Sequence, residues 1–179
     1  MQVIKMPRDR IGVLIGTEGT TKKEIEERSG VPMDVDSETG EVRLETDKAE
    51  EPVMVLKVSD IINAISCGFS PERAFRLFQE DVYFAAFDIR DYVGKNPKHV
   101  QRIRARVIGS NGKTRRIIED LTGAEISVYR NNVGVIGDVT ELEIAKNSVD
   151  MLLNGSEHSS VYRYLENKRR EMKRNKLGW

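Results

Sequence analysis

One segment of this chain occurs twice, and that repeat limits the possible folds more than any other feature. Residues 16–31 read GTEGTTKKEIEERSGV and residues 109–124 read GSNGKTRRIIEDLTGA. Laid one on the other without a gap, they match at Gly16/Gly109, Gly19/Gly112, Thr21/Thr114, Ile25/Ile118, Glu26/Glu119 and Gly30/Gly123. Lys22/Arg115, Lys23/Arg116, Glu27/Asp120 and Ser29/Thr122 are conservative partners. The offset is 93 residues, far beyond the ~20–50 residues of a solenoid unit. A chain of 179 residues repeated at that distance is a duplicated domain, with expected boundaries at 1–80 and 81–179.

Each copy carries the same succession of elements. A first strand is expected at Val3–Met6 and again at Phe84–Asp88. A helix leads into each glycine pair, Arg8–Ile15 or Pro97–Ile108, the second with Val100, Ile103, Val107 and Ile108 at helical spacing. Another helix follows, Thr21–Arg28 or Lys113–Leu121, and stops at Gly30 or Gly123, where a left-handed C-terminal residue belongs. Alternation then marks a strand through Val31, Met33 and Val35, or through Ala124, Ile126 and Val128. A polar turn leads to Glu41–Leu44 or Val133–Ile136, and an amphipathic helix closes each unit, about Glu50–Ser66 and Thr140–Leu153. Between the copies, Ser70 as N-cap and Pro71 at the first helical position start a short connecting helix through Phe78. The fold class is α+β, with β-α-α-β-β-α occurring twice.

Lys and Arg number 29 and Asp and Glu also 29, a balance that is uninformative until divided by position. Up to Lys95 there are 13 basic against 19 acidic residues; beyond it there are 16 against 10, so the halves carry −6 and +6. An anionic partner is expected for the second half. The single cysteine, Cys67, excludes an intramolecular disulfide, and with only His99 and His158 beside it no structural zinc site is expected. No His pair, partnered nucleophile or carboxylate cluster stands near the second glycine pair, so no metal, cofactor or catalytic residue is expected. The N-terminus is broken by charge within five residues, unlike a secretory signal. The strongest apolar run, Val53–Met54–Val55–Leu56, is far too short to cross a bilayer. A cytoplasmic protein without a membrane partner is expected. Cys67 and Trp179 read as structural or incidental.

The chemistry should lie in the loop between paired helices. A Gly-x-x-Gly turn lets a ligand approach the backbone, and the following helix N-terminus suits a phosphate. The second copy has Gly109–Ser110–Asn111–Gly112, then Lys113, Arg115 and Arg116, with Arg102, Arg104 and Arg106 before it. The first has Gly16–Thr17–Glu18–Gly19, which sets a carboxylate where a phosphate would sit. Gly112–Lys113–Thr114 also invites a P-loop reading, but the first glycine of that motif would fall at Val107, and a helix rather than a strand precedes the loop.

At Val107–Ile108–Gly109–Ser110–Asn111–Gly112–Lys113–Thr114 the chain resembles the type I KH domain, an RNA-binding module whose Gly-x-x-Gly loop clamps about four nucleotides. The resemblance covers both halves. A tandem with a spoiled first loop, a basic second loop and a Lys/Arg-rich terminal helix is similar to the archaeal relatives of the partner-of-Nob-one family of ribosome-assembly proteins. Their second loop reads Gly-Lys-Gly-Gly-Lys-Thr or similar; here Ser110–Asn111 replaces the middle pair, with one positive charge fewer. The resemblance implies a protein that binds single-stranded RNA near the 3′ end of small-subunit ribosomal RNA, works with the endonuclease that trims it, and is not itself a nuclease.

Many KH domains place an apolar residue three positions after the second loop glycine. This chain has Lys22 or Arg115 there, so a base-accepting groove must rely on Ile103, Val107, Ile108, Ile126 and Val128. Most of those are core residues first, with some lining the groove. The expected RNA-binding set is Gly109, Ser110, Asn111, Gly112, Lys113, Thr114, Arg115, Arg116 and Arg106, those apolar residues, and Arg130 at the strand end. The tail from Arg163 to Lys176 holds seven basic residues against Glu166 and Glu171; Tyr162, Leu165 and Met172 could dock one stripe of it and leave the basic face outward. Two other functions compete: a KH adaptor of an RNA-degrading complex, and a small nucleotide phosphohydrolase using Lys113–Thr114.

Overall fold

The computed structural model describes residues 1–178; Trp179 lies outside the described residues. Residues 1–80 form one compact unit and those from 81 onward a second. In the first, β1 (Gln2–Lys5), α1 (Arg8–Ile15), α2 (Thr20–Ser29), β2 (Met33–Asp36), β3 (Glu41–Leu44) and α3 (Pro52–Ser66) follow in order, and α4 (Pro71–Ala74) continues in a 3₁₀ turn to Phe78. The second repeats the plan with β4 (Val82–Asp88), α6 (Pro97–Ile108), α7 (Lys113–Thr122), β5 (Glu125–Tyr129), β6 (Asn132–Asp138) and α8 (Val139–Leu153), and adds α5 (Arg90–Val93) and α9 (His158–Lys176). Each sheet is antiparallel with the third strand in the middle, β1–β3–β2 and β4–β6–β5. The element order of both units is the one expected from the repeat.

Three of the six identities are backbone or packing requirements that the two copies meet alike. Gly30 and Gly123 end α2 and α7 in the left-handed conformation, and Ile25 and Ile118 are fully buried. Glu26 accepts from the Met33 amide at 3.1 Å, and Glu119 accepts from the Ile126 amide at 3.3 Å, so one carboxylate ties the second helix to the next strand. Conservative Ser29 and Thr122 are buried too, each donating back to the carbonyl four residues earlier and accepting from the amide two residues on. A buried hydroxyl must be paired to avoid a desolvation cost.

Helix α5 was not expected. The Asp88 carboxylate accepts from the Arg90 amide and turns the chain as β4 ends. Tyr92 then donates to Asp150 of α8 at 2.8 Å, docking the turn on the domain; burial, with that bond added, pushes the pKa of the Tyr92 hydroxyl up to about 12. Ile89 is fully buried beneath it. Among the described residues, no helix is long and apolar enough to cross a membrane.

Helix α8 begins with a reciprocal cap: Asp138 accepts from the Glu141 amide and Glu141 accepts from the Asp138 amide, both at 2.8 Å. Asp138→Ala should cost about 1 kcal/mol, which lowers the melting point of a unit this size by roughly 4–8 °C; Asp138→Asn should keep most of it. Calorimetry on the two variants checks this, and equal melting of wild type and alanine variant would show that the cap contributes nothing.

Candidate nucleic-acid interface

The loop after α6 has the shape its glycines were expected to provide. Gly109 sits at φ 76°, ψ 170°, a conformation essentially closed to other residues, and the next left-handed residues are Asn111 (φ 55°) and Gly112 (φ 75°). A Cβ on Gly109 would lie 2.6 Å from the Thr114 backbone nitrogen and overlap the Thr114 hydroxyl. The turn, closed by the Gly112 amide donating to the Gly109 carbonyl at 3.1 Å, leads straight into the N-terminus of α7, whose first amides favour anions. Ser110, Asn111 and Lys113 are exposed at its tip. The loop follows a helix, so the strand–loop–helix setting of a P-loop is not present.

The basic side chains divide by role. Lys113 faces solvent at the start of α7. Arg116 donates to the Asn111 carbonyl at 2.8 Å and braces the loop with its guanidinium beside the tip. Arg115 is held by Glu119 at 2.8 Å, as Lys22 is held by Glu26 at 2.9 Å in the first unit. That shared pair positions the glutamate that caps the strand, so Arg115 serves the fold as well as any ligand. The i, i+4 spacing was a readable sign of it. Arg106 donates to the Ser156 carbonyl at the α8–α9 connection, so its guanidinium is engaged within the unit. Arg130 is exposed at the β5–β6 turn with φ 53°, its guanidinium 5.4 Å from the Tyr129 ring centre. It lies across from the N-terminal half of α6, lining a cleft with Val100, Gln101 and Arg104, and is not part of the loop cluster.

The apolar set divides as well. Ile103, Val107 and Ile126 are 4%, 0% and 0% exposed and belong to the core. Ile108 and Val128, both half-buried, are the two members that keep accessible surface. The buried residues Val100, Ile103 and Val107 on α6 are three and four residues apart, the spacing of a helix face packed on a sheet.

The part of the site that the sequence did not reveal comes from α9. The Tyr162 hydroxyl lies 3.0 Å from the hydroxyl of Thr114, itself 2% exposed, and His158 Nε2 donates to the Arg106 carbonyl at 3.0 Å. Val161 and Leu165 anchor the helix with no exposed surface, and Tyr162 and Met172 pack at the edge of the same core. The terminal helix therefore grips both sides of the loop, the end of α6 and the start of α7. Contacts 48 and 52 residues apart leave no local pattern to read. Beyond Leu165, Arg169, Arg170, Lys173, Arg174 and Lys176 are exposed. Among the described residues, no group of three or more His, Cys, Asp and Glu side chains could hold a metal ion.

The first unit reproduces the loop almost angle for angle: Gly16 at φ 76°, ψ 174°, Glu18 at φ 55° and Gly19 at φ 76°. The difference is chemical, because exposed Glu18 stands where Asn111 stands in the second unit.

Comparison with known proteins places both units. Residues 83–170 match the family model for the second KH domain of PNO1, described as a eukaryotic type (type I) KH domain, and residues 1–55 match the general KH domain. The chain is 42% identical to the KH domain-containing protein MJ0443 of Methanocaldococcus jannaschii over 97% of its own length and 76% of that protein. It is 30% identical to the pre-rRNA-processing protein pno1 of Schizosaccharomyces pombe, over 76% of its length and 57% of the yeast protein, so it spans little more than half of that relative. Among solved structures, the Dim2p chain of a complex with a/eIF2α and rRNA from Pyrococcus horikoshii superposes with a TM-score of 0.87 at 47% identity, covering 95% of this chain and 94% of that one.

Proposed function

We infer the function from one premise: this chain belongs to the PNO1/Dim2 family of KH-domain RNA-binding proteins. It is an RNA-binding ribosome-assembly protein and not an enzyme. It holds ribosomal RNA through its second unit, binding a single-stranded segment near the 3′ end of the small-subunit RNA while that end matures in the cytoplasm. Its protein partner is the endonuclease that trims the end; the a/eIF2α present in the Pyrococcus complex supports a second partner. The observation that carries the RNA assignment is the contrast between two loops of one geometry, Ser110–Asn111 with Lys113 and Arg116 in one and Glu18 in the other. A phosphate fits the first and is repelled by the second.

Crosslinking the protein to RNA in native cells and sequencing the tags tests the site. Tags concentrated at the 3′ end of small-subunit precursor RNA are expected; tags spread over many transcripts, with exosome subunits copurifying, would favour the degradation-adaptor reading instead.

The exposed basic face of α9 gives a separate prediction. On single strands log affinity falls with log salt by about 0.7 per phosphate contact. Changing Arg170, Lys173, Arg174 and Lys176 together to Gln, which spares buried Leu165, should flatten that slope and weaken all RNAs alike, with sequence preference unchanged. An unaltered slope would make the helix a solvated face.

A further inference from the structure

The Thr114 hydroxyl joins the clamp loop to the terminal helix. It packs against Gly109 so closely that a Cβ there would overlap it. Thr114 is also the second residue of α7, at the helix end that favours an anion. At 2% exposure its side chain is closed to RNA, and its hydroxyl meets the Tyr162 hydroxyl at 3.0 Å. Tyr162 is set in place in turn. Val161 and Leu165 beside it on α9 are fully buried, and the His158 ring, one turn earlier, lies 6.1 Å from its own. His158 bonds the Arg106 carbonyl, three residues before Gly109, so α9 holds the loop at both ends.

The first unit builds the same loop without this tie. The Thr21 hydroxyl would overlap a Cβ on Gly16 just as Thr114 would on Gly109, yet Thr21 is half-buried and no tyrosine bonds it among the described residues. The segment after α3 reaches the other end of α2, where the Arg28 guanidinium stacks 4.2 Å from the Phe78 ring centre. The brace is present in the copy whose loop suits phosphate and missing from the copy closed by Glu18. We propose that Tyr162 is a positioning residue of the RNA clamp: its hydroxyl fixes Thr114, and Thr114 fixes Gly109 and the start of α7 in the shape a phosphate needs. Tyr162 touches no RNA and acts through the loop. A loop ordered in advance binds more tightly, because the ordering cost is met before the ligand arrives. The proposal rests on the RNA-binding reading above and names what holds its clamp in place.

The test uses the full chain and labelled single-stranded RNA, at a temperature where every variant is folded. Tyr162→Phe keeps the ring and removes one hydroxyl, leaving buried Thr114 without its partner. Affinity should fall about fivefold, the weight of a typical hydrogen bond. Thr114→Val should fall to a similar extent, and the double variant should be no weaker than the weaker single one, since one interaction is lost in each case. Tyr164→Phe is the control. It removes the hydroxyl that accepts from Asn147 of α8 at 3.1 Å, a tie of the same helix that avoids the loop, and should bind within twofold of wild type. Hydrogen exchange on the free protein gives a reading apart from RNA. In Tyr162→Phe the amides of residues 111–114 should exchange faster, while those of residues 133–136 in the central strand β6 keep their rates. Tyr162→Phe binding within twofold of wild type, additive losses in the double variant, or equal loss in Tyr164→Phe overturns the positioning role. Exchange unchanged in the loop, or raised in both places, overturns it too. Failure of the parent reading looks different: Ser110→Asp/Asn111→Asp would then bind every RNA as wild type does, while Tyr162→Phe still speeds exchange in the loop.

Discussion

Replacing Ser110 and Asn111 with aspartate is expected to reduce RNA affinity at least a hundredfold and leave the fold intact. Both side chains are exposed at the loop tip, so no core contact changes. The left-handed conformation at position 111 tolerates aspartate, whose short polar side chain visits that region readily. The first unit supplies its own control, since Glu18 occupies the same conformation, φ 55° and ψ 27° against 55° and 30° at Asn111. The brace from Arg116 reaches the carbonyl of residue 111, a backbone group that the substitution keeps. Binding has no such tolerance. Two carboxylates set ~4 Å from phosphates, in surroundings between water and protein, cost roughly 1–4 kcal/mol each. The measurement is a titration with labelled single-stranded RNA beside a thermal melt. Affinity within a factor of two of wild type, at an unchanged melting point, would show that Gly109–Gly112 is not the clamp.

What could be read from the sequence was whatever the backbone itself demands. Gly30 and Gly123 announce left-handed helix ends, Pro71 and Pro97 announce helix starts, and the alternation through Ile126 and Val128 announces a strand; each is a local requirement, so local pattern reveals it. The repeat went further, because a position kept alike in two copies of one chain marks a contact that both copies make. Glu26 and Glu119 tie helix to strand in both units, although nothing in either copy alone distinguishes them from solvated glutamates. Side-chain destinations were less legible. Arg106 and Lys113 both read as cations near a loop, yet one is spent on the Ser156 carbonyl and the other faces water. Ile103 and Ile108 both read as groove lining, and burial separates them. Tyr162 read only as part of a docking stripe, because its partner Thr114 lies 48 residues earlier and only the packing of α9 brings the two hydroxyls together. Pattern fixes which face of a helix turns inward; which charged atom meets which acceptor depends on rotamers and on elements far away in the chain.

Gly16→Ala and Gly109→Ala should have matching effects on stability and unequal effects on binding. The two glycines share φ 76° with ψ 174° and 170°, a region essentially reserved for glycine. A Cβ would overlap the Thr21 or Thr114 hydroxyl and approach that residue's backbone nitrogen to 2.8 or 2.6 Å, so relief requires the backbone of the next helix to move. Strain and overlap together should cost each unit roughly 2–4 kcal/mol, read as a shift in the denaturant midpoint of that unit. At Gly109 the movement displaces the amides that would meet phosphate, and RNA affinity should fall tenfold or more under conditions where the variant is still folded. At Gly16 the same movement disturbs a loop closed to phosphate by Glu18, and affinity should stay within twofold. Buried Thr114 is held by Tyr162 as well, so the second loop has less freedom to adjust than the first. Two variants that weaken RNA binding equally would mean that general loosening, and not the clamp, controls affinity. Loss confined to Gly16→Ala would move the RNA to the first unit.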